Sequence, residues 1–149
     1  MVKKDADNRQ FVLVRGTRYY VDEYQCLTLD NKDITTPEEI EGLEKITSLV
    51  QISLENNQLT RLPDLSGMKI LQGILAKNNK LKDFSGLEGI TTLKSCNFSG
   101  NDLSSTSGLE SNEGFEYLDI SGNKLTTIEG FESFTVLKEL NASNNQLVH

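Results

Sequence analysis

The sequence predicts an α/β solenoid: a curved parallel β-sheet on the concave side, short helices and 3₁₀ turns on the convex side, and a β-hairpin cap at the N-terminus. Two observations carry most of this. The pattern L-x-x-L-x-L-x-x-N-x-L, first complete at Leu49–Leu59, returns at a constant spacing of 22 residues, with its asparagine at Asn57, Asn79, Asn101, Asn123 and Asn145 and its last leucine at Leu59, Leu81, Leu103, Leu125 and Leu147. Between copies, apolar residues recur at three-residue steps, as in Leu62, Leu65 and Met68, then Phe84, Leu87 and Ile90, and later Ile128, Phe131 and Phe134. Alternation within the pattern suits a short strand, and a step of three suits 3₁₀ turns better than long helices.

The asparagine has a physical task. Each repeat turns through a corner that leaves backbone groups inside the stack where no strand can satisfy them. A side-chain amide offers both donors and an acceptor, so Asn57, Asn79, Asn101, Asn123 and Asn145 are expected to form a buried ladder. Loss of one member should cost about 1–3 kcal/mol for the groups left unpaired. On these residues the chain is identified as a leucine-rich repeat protein. From about residue 24 to 149 it resembles the 22-residue class shared by bacterial internalins and the leucine-rich regulatory subunit of protein phosphatase 1.

Taken in order, residues 1–10 are polar and read as a flexible N-terminus. Residues 11–48 read as an N-terminal cap, and residues 49–149 as regular repeats of which the last is incomplete, all in one structural domain. Phe11–Val14 and Arg18–Val21 read as two strands around a turn at Arg15-Gly16-Thr17, a hairpin covering the open end of the solenoid. A functional basic edge using Arg15 and Arg18 is the other reading of this segment. An imperfect first repeat follows from Tyr24, with Lys32 at the ladder position, and it is 25 residues long. Thr36-Pro37-Glu38-Glu39 carries the signals of a capped helix start. The spacing predicts a helix of about three turns from Pro37 to near Ile46, burying Ile40, Leu43 and Ile46 and exposing Glu38, Glu41 and Glu44. In the fourth repeat Thr106 and Asn112 replace two of the three convex apolar residues, which predicts a looser loop over Ser104–Gly114. The last repeat stops at His149, so the layer of Leu137, Leu140, Ala142 and Leu147 is expected to be partly open. This end then belongs to a fragment of a longer protein, or meets a partner or a second copy.

Composition narrows the function. The formal net charge is −7, and residues 1–21 carry +3, leaving −10 for the rest, which argues against nucleic-acid and anionic-membrane partners. The charged start is neither a signal peptide nor an anchor, and Cys26 and Cys96 are too far apart along the repeats for a disulfide, which together suggest a cytoplasmic protein. On that reading the sequons Asn97-Phe-Ser99 and Asn141-Ala-Ser143 are coincidental.

No catalytic motif is present, the only histidine is His149, and Asp30-Asn-Lys-Asp33 lacks the glycine and glutamate of a calcium loop. No enzyme activity, cofactor or metal is therefore expected. Cys96 reads as a small buried hydrophobe.

What remains is a surface. With the leucines inward, the second, third, fifth, seventh and eighth places of each repeat face the concave side or its rim. Leu75 stands out on a mostly polar face. With Val50, Lys77, Asn97, Tyr117 and Asp119 it forms the candidate patch for a protein or peptide partner. Six strands at about 4.8 Å give a sheet roughly 25 Å across, enough for an interface of about 800 Å² per partner.

The resemblance to the phosphatase regulator implies an intracellular adaptor or regulator, and similar short repeat proteins occur in prokaryotes. The resemblance to internalins implies instead a surface adhesin. Self-assembly into a homodimer through the C-terminal end is the third reading.

Overall fold

The computed structural model describes residues 1–148 of the 149. The sole histidine, His149, lies outside them.

The chain begins with a hairpin, β1 (Phe11–Val14) and β2 (Thr17–Tyr20). Arg15 (φ 47°) and Gly16 (φ 83°) make a two-residue turn, so Thr17 belongs to the second strand and pairs with Val14. β3 (Cys26–Thr28) then starts the parallel sheet, which continues after the short β4 (Ile40–Glu41) as β5 (Gln51–Ser53), β6 (Gly73–Leu75), β7 (Ser95–Asn97), β8 (Tyr117–Asp119) and β9 (Glu139–Asn141). Its spatial order is β3-β5-β6-β7-β8-β9, every pair parallel and in register from one repeat to the next. A second sheet, β2-β1-β4, forms the N-terminal cap. Val12 and Val14 join the same apolar cluster as Leu27 and Leu29, so the cap closes the first layer of the stack.

The asparagine ladder is built as the spacing implies. Asn79, Asn101, Asn123 and Asn145 each accept, through Oδ1, the N–H of the residue twenty places earlier at 3.0 Å. Each donates Nδ2 to one carbonyl of the preceding repeat and two of its own; for Asn101 these are Ala76 O at 3.1 Å, Phe98 O at 2.9 Å and Ser99 O at 3.2 Å. Asn57 makes the same bonds across the longer first repeat, reaching Ile34 N–H, Lys32 N–H and Leu29 O. Lys32, which holds the ladder place in that repeat, points its ammonium at the Tyr19 ring, 5.0 Å from the centroid.

One expectation is corrected here. The helix from Pro37 to Ile46 does not form. Two one-turn 3₁₀ segments, Pro37–Glu39 and Leu43–Lys45, flank β4, and Ile40 pairs with Val14. The strand partner takes the backbone groups a helix would have used, and Gly42 in the left-handed region (φ 92°) separates the two turns. The expected burial of Ile40, Leu43 and Ile46 nevertheless holds. Glu39 accepts the N–H groups of Thr36 (2.9 Å) and Thr35 (2.7 Å), and the expected capping box between Thr36 and Glu39 is in place.

The loop of the fourth repeat keeps the one-turn hydrogen bonds of its neighbours. Thr106 and Asn112 are buried, and Leu109, Asn112 and Phe115 N–H donate to the carbonyls three residues back. Hydrogen bonds stand in for apolar contact: Thr106 Oγ1 donates to Glu129 O, and Asn112 Oδ1 accepts Leu93 N–H at 3.0 Å. Asn112 Nδ2 is the one buried side-chain polar atom left without a partner among the described residues.

Residues 1–10, expected to be frayed, hold a hydrogen-bonded turn. Asp5 accepts Arg9 N–H at 2.9 Å and pairs with its guanidinium, and Phe11 N–H reaches back to Lys3 O. Backbone hydrogen bonding lowers the Asp5 pKa.

Candidate functional site

The concave sheet presents its side chains in rows because the strands are in register. One row runs Gln51, Gly73, Ser95, Tyr117, Glu139, and the next runs Ser53, Leu75, Asn97, Asp119, Asn141. Towards the C-terminal half these rows border a depression of about 380 Å³, lined by Leu75, Asn97, Tyr117, Asp119, Glu139 and Leu140 among others. Four of the six residues picked from the sequence thus share one hollow: Leu75, Asn97, Tyr117 and Asp119. Val50, half-buried at the N-terminal flank, and Lys77, exposed at the rim, do not line it.

Leu75 is half-buried, not fully exposed as a lone leucine on a polar face would be. Its register neighbours are Ser53 and Asn97, and buried Gly73 is covered by the Gln51 side chain, whose Cγ would lie 3.3 Å from an added Cβ. Tyr117 remains 42% exposed, enough ring to receive a partner. The floor is apolar, with Cys96 and Leu118 both buried. Burial pushes the Cys96 thiol up to about 12, so it is an inert core atom.

The polar groups are tied to their own backbone. Asp119 Oδ1 accepts Ser121 Oγ–H at 2.6 Å and Ser121 N–H at 3.0 Å. Asn97 does the same with Ser99, and Asn141 with Ser143. Beside them Lys138 pairs with Glu116 at 2.8 Å, which lowers the carboxyl pKa and raises that of the ammonium, and its Nζ lies 5.8 Å from the Tyr117 centroid.

Glu139 and Leu140 were missed by the sequence reading. Glu139 stood in the right row but carried no apolar signal. Leu140 counted as an inward leucine; it is 39% exposed because, among the described residues, β9 has a neighbour on one side only.

A larger depression, about 580 Å³, lies between the N-terminal segment and the turns around Pro37–Lys45. Its charges are partly matched within it, Glu38 pairing with Arg61, and the Lys3 stem lies against Gly42. Among the described residues no cluster of histidine, cysteine and carboxylate side chains could hold a metal ion, and no helix is long and apolar enough to cross a membrane.

The profile of the Leucine Rich Repeat family matches residues 114–134. None of the curated proteins matches the sequence. Among solved structures, an internalin (inlF) from Listeria monocytogenes is similar at 28% identity and a TM-score of 0.64 over 68% of this chain and 30% of its own. Internalin C2 from the same organism is similar at 20% identity and a TM-score of 0.62, over 84% of this chain and 64% of its own. A chain of the Drosophila melanogaster SNF/U2A′ complex is similar at 24% identity and a TM-score of 0.56, over 94% of this chain and 76% of its own. The chain therefore spans less than two thirds of either internalin.

Proposed function

We propose that this chain, a leucine-rich repeat protein resembling internalin repeats, is a non-enzymatic interaction module that holds a protein or peptide partner on its concave sheet. The observation that carries the reading is the hollow where Leu75 and Tyr117 offer apolar surface inside a rim of polar and charged side chains, the make-up of a contact patch. The rigid, hydrogen-bonded sheet beneath holds that patch in one shape, which lowers the ordering cost of binding. One structural neighbour comes from a complex of two proteins, which supports a protein partner in general.

Cys26 and Cys96 are both free thiols, which supports a cytoplasmic adaptor or regulator over the adhesin that the internalin likeness suggests. A pull-down from lysate of the source organism tests the reading, comparing the native chain with a Leu75→Glu, Tyr117→Ala variant that keeps its circular dichroism spectrum. A partner held by the native chain and lost by the variant supports the concave face. Equal retention by both refutes it.

A second reading has its own observation. Among the described residues β9 has a neighbour on one side only, and Val136, Leu140, Leu147 and Val148 of the last repeat are exposed. Pairing of two copies along this edge would give a homodimer. Light scattering that reports monomer over a wide concentration range removes it.

A further inference from the structure

We infer that the hollow on the concave sheet takes a partner segment carrying a large apolar side chain close to an arginine or lysine; this rests on the concave-face reading and names the chemistry of its partner. Leu75, Tyr117 and Leu140 give the hollow its apolar surface, while Asp119 and Glu139 are its only charged lining residues among those described. Among the described residues neither carboxylate has an ion-pair partner, and Lys138, next to Glu139 in the chain, is held by Glu116 at 2.8 Å. Lys77 and Lys94 are exposed on the concave side but outside the lining.

The placement of the charge follows from the register. Glu139 faces Tyr117 across β8 and β9, and Asp119 stands two residues beyond Tyr117 on the same face. The two acidic residues thus adjoin the exposed ring, one across the strand pair and one along its own strand, with a diagonal of about 8 Å between their backbone positions at roughly 4.8 Å per strand and 3.3 Å per residue. Two like charges beside apolar surface are relieved by a cation that reaches both, and an arginine fork suits such a pair.

The fold does not require a charge at position 119. Asn97 and Asn141, in the same row, make the same two hydrogen bonds to Ser99 and Ser143 with a neutral amide. An asparagine would serve the strand equally well, so the negative charge of Asp119 is available to a partner. Leu75 lies two strands from Asp119, about 10 Å at roughly 4.8 Å per strand, which an extended peptide spans in about three residues. The net charge of −7 adds long-range attraction for a basic segment.

Short random peptides selected by display on the immobilised native chain supply the probes. Each is then measured by fluorescence anisotropy against the native chain, an Asp119→Asn, Glu139→Gln variant and a Leu75→Glu, Tyr117→Ala variant, all checked for fold by circular dichroism. The expected result is peptides that share arginine or lysine within about three positions of a large apolar residue. Their affinity falls about tenfold or more in the carboxylate variant and declines with rising salt. Peptides that lose affinity only in the Leu75→Glu, Tyr117→Ala variant overturn the cationic preference and leave the concave reading standing. Peptides indifferent to both variants, or a selection that yields no binder, overturn both.

Discussion

β3 and β9 are the two outer strands of one sheet, and the same repeat position is filled by Leu27 in one and Leu140 in the other. Leu27 is 1% exposed and Leu140 is 39% exposed. The sequence pattern at the two places is alike, so the difference comes from what lies beyond each strand. Val12, Val14 and Ile40 of the cap pack into the layer that begins with Leu27 and Leu29, whereas no described element covers the far side of β9. Burial of a repeat's leucine is therefore a property of its neighbours in the stack rather than of the motif.

The largest test of this comparison removes core side chains. Leu118→Ala, at the position of Leu140 but 2% exposed, should cost about 2–5 kcal/mol in urea unfolding, against about 1 kcal/mol or less for Leu140→Ala. Equal costs would mean that β9 is as well covered as β8.

The ladder gives a smaller contrast. Asn101→Ala orphans the buried N–H of Leu81, while the carbonyls of Ala76 and Phe98 keep Asn79 and Asn123 as donors, and should cost about 1–3 kcal/mol. Asn145→Ala, where the site is only partly buried, should cost less than about 1 kcal/mol.

Amide exchange sharpens the contrast without mutation. Phe98 and Gly100 donate to Asp119 O and Ser121 O of the next repeat, while the equivalent N–H groups of Ala142 and Asn144 have no such acceptor among the described residues. The latter pair should exchange faster by orders of magnitude, and similar protection at both ends would sink the argument.

The smallest effect belongs to the capped end. The Glu39 carboxylate accepts the N–H groups of Thr36 and Thr35, which holds its pKa at about 2, below the ordinary 4.5. A folded pKa below the unfolded one means that the contribution is present above about pH 4.5 and is lost as the pH falls toward 2. Glu39→Gln should flatten the loss of stability in that window, read from urea midpoints at stepped pH.

The solenoid, its register and its ladder were legible in the sequence because each depends on spacing alone. A constant 22-residue period fixes which residues stack, and stacking fixes which backbone groups each asparagine can reach. Even the longer first repeat shows directly, since Asn57 bonds Ile34 and Leu29 with the offset moved by three residues. The candidate site was legible in part. Strand alternation identified Leu75, Asn97, Tyr117 and Asp119 as concave, but it could not say that they border one hollow with Glu139 and Leu140.

By itself, then, the sequence determined the repeat, its inward leucines, the asparagine ladder and the rows of outward side chains, because local alternation and a fixed period leave one way to stack them. Only the tertiary structure decided three things. Strand pairing with β1 overrode the helix signals after Thr36, since a partner was in place for the backbone of Ile40. Neighbouring repeats buried Thr106 and Asn112 by supplying Glu129 and Leu93 as hydrogen-bond partners. Finally, the absence of a described neighbour beyond β9 left Leu140 at the surface, because burial requires atoms from another part of the chain and no residue carries them alone.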